Sequence, residues 1–297
     1  MSAGILLIGG SGFLGSHVAR RLAARGLPVL VPTRHRERAK HLILLPTVEV
    51  VEADVHDQAT LSALCAGKDA VINLVGVLKG GNGRPYGPGF ARAHVELPMN
   101  IARAVVATRV ARLVHVSALH AAADAPSGYL RSKAGGEAAL LATFPEASIF
   151  RPSVIFGAGD SFLSLFSGLL RLAPVVPLAA AEARFQPVWV GNVADAIVEA
   201  VLRPEAAGNT WNLCGPAVYT LRQLVQYVGR VTGRRRPVIG LSPALSWLQA
   251  LALEAVGGPM TRDNLRSMQV PSVCDDGSRL PFGLEPVPLE AVAPTYL

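Results

Sequence analysis

The start of the chain runs from a short apolar segment through a glycine-rich turn into a helix-like segment. Residues 4–8 are apolar, Gly9, Gly12 and Gly15 are spaced by three, and residues 16–24 have a helical pattern. A dinucleotide pyrophosphate binds at a helix N-terminus, where free N–H groups favour negative charge and glycine permits close approach. The order therefore predicts a nucleotide-binding βα unit. The residues predicted to hold the pyrophosphate are Gly9, Gly12, Phe13, Leu14 and Gly15.

Apolar, β-type segments alternate with helical ones along the first half of the chain. They cover residues 29–31, 48–51, 70–75, 113–116 and 148–150. Apolar residues make up 51% of the chain and charged residues 16%, which suits a parallel sheet buried on both faces. The alternation predicts the α/β class and a doubly wound parallel Rossmann sheet. We expect a nucleotide-binding domain over residues 1–153, a sheet completed by about residues 187–215, and a smaller, partly interleaved substrate-side lobe over residues 154–297.

The end of the second predicted strand distinguishes NADP(H) from NAD(H). An acidic residue there would bond the ribose 2′-hydroxyl and repel a 2′-phosphate. This chain has Thr33 and Arg34 instead, followed by Arg36, Arg38 and Lys40. A guanidinium can bind a phosphate through two hydrogen bonds. We therefore expect NADP(H) to be favoured over NAD(H), with Arg34 as the main contact; a solvated basic face is the simpler alternative.

A tyrosine and a lysine lie four residues apart after the fifth predicted strand. Tyr129 and Lys133 share one face of a helix. A phenol with an ordinary pKa near 10 is a poor acid or base at neutral pH unless a nearby ammonium stabilises its phenolate. We expect Tyr129 to exchange a proton with the substrate, and Lys133 to lower the pKa of Tyr129 and to hold the nicotinamide ribose. A packed core tyrosine is the simpler alternative.

Together these motifs resemble the extended short-chain dehydrogenases/reductases. The residues that carry the resemblance are the glycine motif, Asp54 and Val55, residues 73–76, Ser117, Tyr129 and Lys133. More narrowly, the chain resembles an atypical branch, the complex I alpha-subcomplex subunit nine-like family of the NAD-dependent epimerase/dehydratase superfamily. The segments that carry this narrower resemblance are residues 116–119, 129–133, 151–157, 184–194 and 294–297.

The resemblance implies further contacts to the cofactor and the substrate. The cofactor contacts are Asp54 and Val55 at the adenine, Asn73, Val75 and Gly76 at the adenosine and ribose, and Pro152 and Ser153 near the nicotinamide. Family enzymes bind the substrate oxygen with a Ser or Thr of the loop after the fifth strand. Alignment through Ser117 puts Ala118 or Leu119 at that position, so Ser117 is the candidate that remains.

Two functions follow from these residues. The first is an NADP(H)-binding oxidoreductase or epimerase/dehydratase-type enzyme in which Tyr129, Lys133 and Ser117 are catalytic. The alternative is a non-catalytic NADPH-binding accessory or assembly protein, associated with respiratory complex I or the membrane surface, whose fold the cofactor stabilises. The histidines at positions 94, 115 and 120 are dispersed and lack a carboxylate at triad spacing, so we expect structural roles for them.

Charge and composition restrict the partners. The net charge is +7, but the basic residues are dispersed and no zinc, helix-turn-helix or RNA-binding motif accompanies them. We therefore expect a small-molecule substrate and no nucleic acid. The abundance of Leu, Phe and Val over residues 162–176 favours an apolar or quinone-like ligand over a nucleotide sugar.

The three cysteines bear on disulfides, metals and location. Cys65, Cys214 and Cys274 are far apart, odd in number and without metal-type spacing. We therefore expect no disulfide bond, no metal site and a cytoplasmic location.

A helix predicted over residues 243–256 has a narrow polar edge and many leucines, and three arginines precede it at residues 234–236. Packing inside the smaller lobe is the favoured interpretation of this helix. Peripheral contact with the inner face of a membrane is the alternative.

Overall fold

The computed structural model describes residues 4–275, 277 and 279–297. Its strands are short, and the first six of them follow the apolar segments of the sequence. They are β1 (Ile5–Ile8), β2 (Val29–Thr33), β3 (Val48–Glu52), β4 (Ala70–Asn73), β5 (Arg112–Val116), β6 (Ser148–Pro152), β7 (Ile155–Phe156), β8 (Val176–Leu178), β9 (Arg184–Phe185), β10 (Val188–Trp189), β11 (Thr210–Leu213), β12 (Tyr219–Thr220) and β13 (Val238–Gly240).

Helices connect most of these strands. They are α1 (Phe13–Ala24), α2 (Gln58–Cys65), α3 (Pro88–Phe90), α4 (Leu97–Thr108), α5 (Gly128–Leu141), α6 (Phe162–Leu172), α7 (Val190–Leu202), α8 (Leu221–Val231), α9 (Pro243–Ala255), α10 (Arg262–Ser267) and α11 (Leu289–Val292). A π-helical turn, Ala91–Glu96, joins α3 to α4. Short 3-10 segments cover Arg36–Leu42, Pro204–Ala206, Pro281–Gly283 and Ala293–Thr295.

Seven strands form one parallel sheet in the order β3-β2-β1-β4-β5-β6-β11. This order confirms the predicted doubly wound α/β class. The chain changes direction across the sheet between β1 and β4, and the carboxyl ends of such a strand pair flank the crevice in which Rossmann folds bind ligands. The last strand of the sheet, β11, comes from the second half of the chain and pairs with β6.

Helices cover both faces of the sheet. Leu7 of β1 belongs to the core shared with α1 and α7, which includes Ile197. The next residue toward the N-terminus, Leu6, points to the opposite face and belongs to the core shared with α2 and α4, which includes Ile101. Because both faces are covered, the central strands β1 and β4 are buried along their whole length rather than alternating.

The smaller lobe has a core of its own. Helices α6 and α8 pack together around residues that include Phe166 and Leu224, and α11 adds Leu289. Strand β8 pairs with β13, and β9 pairs with β12. Helix α10 lies against α5 of the sheet domain, so the smaller lobe meets the helix that carries Tyr129 and Lys133.

A disulfide bond joins Cys214 to Cys274, which corrects the expectation that none forms. The two cysteines are 60 residues apart in sequence, but the fold brings the end of β11 beside the segment that contains Cys274. Gln186 ties both segments together, because its Nε2 donates to the carbonyl oxygen of Gly215 and its Oε1 accepts from the N–H of Cys274. The wide spacing of these cysteines in sequence therefore did not exclude a disulfide bond. The same spacing does not support the expected cytoplasmic location. Cys65 is a buried free thiol.

Helix α9 corrects a second expectation, because it does not pack inside the smaller lobe. Its buried residues are Ser246 and Ala250, whereas Leu245, Trp247 and Leu248 are exposed. The Ser246 hydroxyl donates to the carbonyl oxygen of Leu241, so a small polar side chain faces the lobe and the large apolar ones face outward. None of the helices in the described part of the chain has the length and apolar character needed to cross a membrane.

Candidate active site

The glycine turn joins β1 to the N-terminus of α1. Gly9 has a left-handed φ of +86°, and a Cβ added at Gly15 would overlap the carbonyl oxygen of Gly9. Gly12 begins the helix without a side-chain cap, and the N–H groups of the first turn have no helical acceptor. The five residues predicted to hold a pyrophosphate therefore lie together in a backbone cradle, and its exposed N–H groups suit an anion.

A basic corner follows β2. Thr33 is buried, and its hydroxyl donates to the carbonyl oxygen of His35 at 3.2 Å. Arg34 is exposed and makes no hydrogen bond or ion pair with any described residue. Lys40 forms an ion pair with Glu37 in the following 3-10 segment. The guanidinium of Arg34 is therefore available to a ligand at this corner, whereas the ammonium of Lys40 is engaged.

Asp54 and Val55 follow β3. One carboxylate oxygen of Asp54 accepts from the N–H of His56 at 3.0 Å, which fixes the turn after the strand. Val55 is partly buried against the core that α2 and α4 share. Burial, the largest cause, lowers the pKa of His56, and the cations of Arg92 and Arg34 lower it further. Both predicted adenine contacts therefore lie in the turn between β3 and α2.

Asn73 ends β4 in a fully buried position. Its Oδ1 accepts from the N–H of Val75 at 3.1 Å, and its Nδ2 donates to Nδ1 of His115 at 3.0 Å. Burial, with a smaller contribution from the Lys133 charge, lowers the pKa of His115 to about 3. The Asn73 side chain therefore shapes the strand end from within, and Gly76 is the exposed residue of this predicted group.

Lys133 reaches from α5 to the carboxyl ends of β4 and β5. Its Nζ donates to the carbonyl oxygens of Val116 at 3.0 Å and of Val75 at 3.4 Å. A Cβ added at Gly76 would lie 3.4 Å from the same Nζ. The hydroxyl of Ser117, the residue after Val116, is buried and has no hydrogen-bond partner among the described residues. An ammonium and an unpartnered hydroxyl thus lie beside the crevice.

Tyr129 lies one helical turn before Lys133. Its ring meets the rings of Phe90 and His94 edge-on, with centroids 6.1 and 5.5 Å apart, and its hydroxyl makes no hydrogen bond within the described chain. Burial raises the pKa of Tyr129 to about 12 and lowers the pKa of Lys133 to about 8. The direction for Tyr129 is opposite to the expected one because burial disfavours the charged phenolate. The phenol therefore keeps its proton at neutral pH.

His94, in the π-helical turn, holds the backbone of Tyr129 through Ser132. Its Nε2 accepts from the N–H of Val77 at 3.0 Å, and its Nδ1 donates to the Ser132 hydroxyl at 2.8 Å. That hydroxyl in turn donates to the carbonyl oxygen of Tyr129 at 2.7 Å. Burial, followed by the charge of Lys133, lowers the pKa of His94 to about 2, so the ring is neutral. The sequence did not signal this contact because it depends on the packing of two helices.

The smaller lobe contributes Asp263 to the site. Its two carboxylate oxygens accept from the N–H groups of Gly128 at 2.7 Å and of Tyr129 at 2.9 Å. The hydroxyl of Ser127 accepts from the N–H of Leu130, which completes the cap of α5. Asp263 thus fixes the start of the helix that carries Tyr129. Sequence reasoning missed this residue, because nothing near it in the chain indicates the contact.

Pro152 and Ser153 end β6 at the same edge of the sheet. The Ser153 hydroxyl lies 2.8 Å from the carbonyl oxygen of Ser272 and 2.9 Å from its hydroxyl. The N–H of Leu119 donates to the carbonyl oxygen of Pro152. Ser153 therefore binds the segment around Ser272 to the sheet rather than presenting a free hydroxyl.

The carboxyl edge brings a continuous subset of the predicted residues together. A Cβ added at Gly9 would lie 3.3 Å from the backbone nitrogen of Val75. The ammonium of Lys133 bonds the carbonyl oxygens of both Val75 and Val116, and Ser117 follows Val116. Arg34 lies at the far side of this row, at the end of β2. The side chains of Asn73 and Ser153 form hydrogen bonds within the protein, so they do not belong to this row.

The chain matches the family described as NAD dependent epimerase/dehydratase family over residues 5–214. The chain belongs to this family. The match covers the glycine turn, Tyr129 and Lys133, and it ends at the cysteine that follows β11.

Two curated proteins that are similar to this chain have names of different kinds. Mitochondrial NADH dehydrogenase (ubiquinone) 1 alpha subcomplex subunit 9 of Mus musculus is 32% identical, over 96% of this chain and 77% of that protein. A protein named ceramide reductase from Caulobacter vibrioides is 33% identical, over 65% of this chain and 59% of that protein. The predicted kinship with subunit nine-like proteins is thereby confirmed.

Solved structures agree on the fold. The NADPH-dependent quinone oxidoreductase of Escherichia coli, solved with NADPH, superposes with a TM-score of 0.69 at 22% identity. The superposition covers 90% of this chain and 87% of that one. At this level of identity the likeness establishes the Rossmann-like fold alone.

Proposed function

We propose that this chain is an NADP(H)-dependent reductase that uses Tyr129 as its proton donor. The observation that carries the proposal is the pair formed by Tyr129 and Lys133 on one face of α5, with Lys133 bonded to the ends of β4 and β5. Because the phenol stays protonated at neutral pH, it can give a proton to a carbonyl oxygen. The proposed direction is reduction, in which the neutral phenol acts as the acid.

Bound NADP(H) would supply the hydride. In this chain Gly9, Gly12 and the N-terminus of α1 would hold the pyrophosphate, Arg34 the 2′-phosphate and Lys133 the nicotinamide ribose. The fit is supported by the tight backbone turn, in which a Cβ at Gly9, Gly12 or Gly15 would meet backbone atoms, and by the guanidinium of Arg34, which no described residue engages. NADP(H) is favoured over NAD(H) for the same reason: the end of β2 presents a cation and no carboxylate.

The protein side chains have separate parts in the proposed step. Tyr129 donates the proton of its hydroxyl to the substrate oxygen, and the adjacent Lys133 stabilises the phenolate that remains. The unpartnered hydroxyl of Ser117 donates a hydrogen bond to the same oxygen. Asp263 and His94 hold the backbone of Tyr129 at either side and so keep the phenol in place.

An apolar carbonyl compound is the substrate class that we favour. A cavity of about 150 Å³ lies between residues 78–82, Phe90 and the end of α9, and Phe90 also touches the Tyr129 ring. Most polar groups of its wall are already bonded to one another: Lys79 Nζ donates to the carbonyl oxygen of Gly257, and Asn82 Nδ2 donates to Glu254. The apolar side chain of the wall that remains exposed is Leu78. The name of the Caulobacter relative is in keeping with a lipid-like substrate.

A second function competes with this one. Relatives over nearly the whole chain are named as subunits of a respiratory NADH dehydrogenase, which favours a cofactor-stabilised accessory protein of such a complex. In that case NADPH would bind and raise the free energy of unfolding without being consumed.

The two functions are separated by cofactor turnover. We would measure NADPH binding by fluorescence and then NADPH oxidation with a panel of quinones and long-chain ketones or acyl carbonyl compounds. We expect a rate of NADPH oxidation that saturates with the concentration of an apolar carbonyl compound, and a lower rate with NADH. Tight NADPH binding with no oxidation across the panel would instead support the accessory protein.

A further inference from the structure

The smaller lobe presents an apolar surface made from three neighbouring segments. We call it the α6–α9 face; it consists of the end of α6 with residues 173–175, strand β13 and helix α9. Pro177 of β8 lies opposite Ile239 of β13, and Gln249 of α9 donates to the carbonyl oxygen of Pro177, so the three segments are joined side by side. Its exposed apolar side chains are Leu169, Leu172, Val175, Ile239, Leu245, Trp247, Leu248 and Leu251.

The exposure of these side chains is unusual in both extent and size. Leu172 is 79% exposed, Leu248 59% and Ile239 56%. Isolated exposed leucines are ordinary, but a group of large apolar side chains on adjoining elements marks a surface that binds something. Helix α9 buries its serine and exposes its leucines, so the lobe itself does not supply the covering partner.

The charge around the face is mainly positive, and Glu254, the one acid of α9, is paired with Arg262. Residues 161–181 and 206–253 contain no Asp or Glu, whereas they contain six arginines: Arg171, Arg222, Arg230, Arg234, Arg235 and Arg236. Of these, Arg222 is paired, with Glu182. Arg230, Arg235 and Arg236 line a cavity of about 230 Å³ together with Leu170 of α6. A basic cavity therefore opens between α6 and α8, next to the exposed end of α6.

Trp247 adds a feature of interfacial surfaces. Its ring lies under the guanidinium groups of Arg262 and Arg266, at 5.8 and 5.3 Å from the ring centroid. An aromatic ring with cations above it, on an apolar helix, matches the boundary between headgroups and acyl chains of a bilayer.

We propose that the α6–α9 face docks on a bilayer that contains anionic phospholipids. Leucines of α9 and Leu172 would enter the acyl boundary, and the cavity of Arg230, Arg235 and Arg236 would receive a phosphate headgroup. The arginines around the face complement a negatively charged surface. This inference is independent of catalysis, because it uses no residue of the candidate active site.

Other occupants fit the face less well. In a symmetric dimer the same face of both copies would meet, which would bring two arginine clusters of like charge to one interface. A protein partner would need hydrogen bonds at regular intervals, and the centre of the face offers mostly Leu and Ile.

The test is sedimentation with vesicles, without cofactor or substrate. Vesicles of phosphatidylcholine and phosphatidylglycerol, mixed three to one, should bind the protein, and vesicles of phosphatidylcholine alone should bind it at least roughly tenfold more weakly. Arg235→Glu with Arg236→Glu, and separately Leu245→Gln with Leu248→Gln, should each lower binding to the anionic vesicles by roughly tenfold or more.

Matched controls make the same changes of charge and polarity elsewhere on the surface. Arg20→Glu with Arg103→Glu has the same net charge as Arg235→Glu with Arg236→Glu, and Leu44→Gln with Val106→Gln removes exposed apolar side chains from the sheet domain. Both controls should bind like the unaltered protein, and so should Tyr129→Phe. All these positions but Tyr129 are exposed, so their substitution leaves the core intact.

Three results would overturn the proposal. The first is no binding of the unaltered protein to anionic vesicles, and the second is equal loss in the matched charge control. The third is gel filtration in which Leu245→Gln with Leu248→Gln converts a dimer to a monomer while vesicle binding persists, since a second copy would then be the occupant. A failure of NADPH turnover would leave these measurements unaffected and would count against the proposed reductase alone.

Discussion

Asp263 of the smaller lobe caps the helix that carries Tyr129, with its carboxylate 2.9 Å from the backbone nitrogen of Tyr129. The contact spans 134 residues of sequence and joins the two parts of the chain at the proposed catalytic residue. The position of the phenol therefore depends on how the smaller lobe is seated.

Replacing Asp263 by Ala tests this dependence. Loss of a carboxylate that accepts from helix N-terminal N–H groups should lower the free energy of unfolding by about 1 kcal/mol. If the cap also positions Tyr129, kcat should fall severalfold while the Kd for NADPH stays unchanged. Asp124→Ala, an exposed substitution in the loop before α5, is the control. Unchanged kcat in a stably folded Asp263→Ala protein would limit Asp263 to a structural role.

Arg34 determines the expected cofactor preference. Arg34→Ala should weaken NADPH binding by roughly tenfold or more, because one charged contact to a phosphate is lost, and should leave NADH binding nearly unchanged. Fluorescence titration with both cofactors measures the two dissociation constants, and Arg103→Ala serves as the control. Equal losses for NADPH and NADH would defeat the assignment of the 2′-phosphate to this corner.

Gly136 and Gly168 form a matched pair of helical glycines. A Cβ at Gly136 would overlap the carbonyl oxygen of His94, whereas a Cβ at Gly168 would meet nothing within 4 Å. Gly136→Ala should therefore lower the free energy of unfolding by about 2 kcal/mol or more. Gly168→Ala should raise it by about 0.5–1 kcal/mol, since alanine favours the helix. Denaturant unfolding measures the free energy of unfolding of both variants. Similar changes in the two variants would refute the close packing of α5 on the π-helical turn.

The architecture and the glycine cradle were predictable because they depend on local pattern. Apolar segments between helical ones specified a parallel sheet, and the spacing of Gly9, Gly12 and Gly15 specified the first βα unit. Both signals are contained within about thirty residues of sequence, which is the length of one βαβ unit.

The features that escaped prediction all depend on segments distant in sequence. Asp263 caps a helix of the other lobe, and Cys214 meets Cys274 because Gln186 holds their two segments together. Helix α9 was misjudged because its pattern of Leu and Ser gives the apolar face but not the side on which the lobe lies. The raised pKa of Tyr129 was missed because spacing shows that Lys133 is near but not how deeply the phenol is buried.

Lys133 should make stability depend on pH. Burial lowers its pKa from 10.5 to about 8 in the folded protein. Between these values the unfolded chain binds more protons, so stability rises with pH through this window. Relative to Lys133→Met, the unaltered protein should gain about 2 kcal/mol in free energy of unfolding from pH 8 to pH 10. Urea unfolding of both proteins across this range measures the difference, and parallel curves would contradict a buried ammonium.

The central claim is that Tyr129 gives a proton to the substrate. The most direct measurement is NADPH oxidation by the unaltered protein and by Tyr129→Phe, at matched cofactor occupancy and with the same apolar carbonyl substrate. The Tyr129 hydroxyl makes no hydrogen bond within the described chain, so the variant should keep its stability and its Kd for NADPH. We predict that its kcat falls by roughly 100-fold or more. Equal turnover in the two proteins would contradict the account.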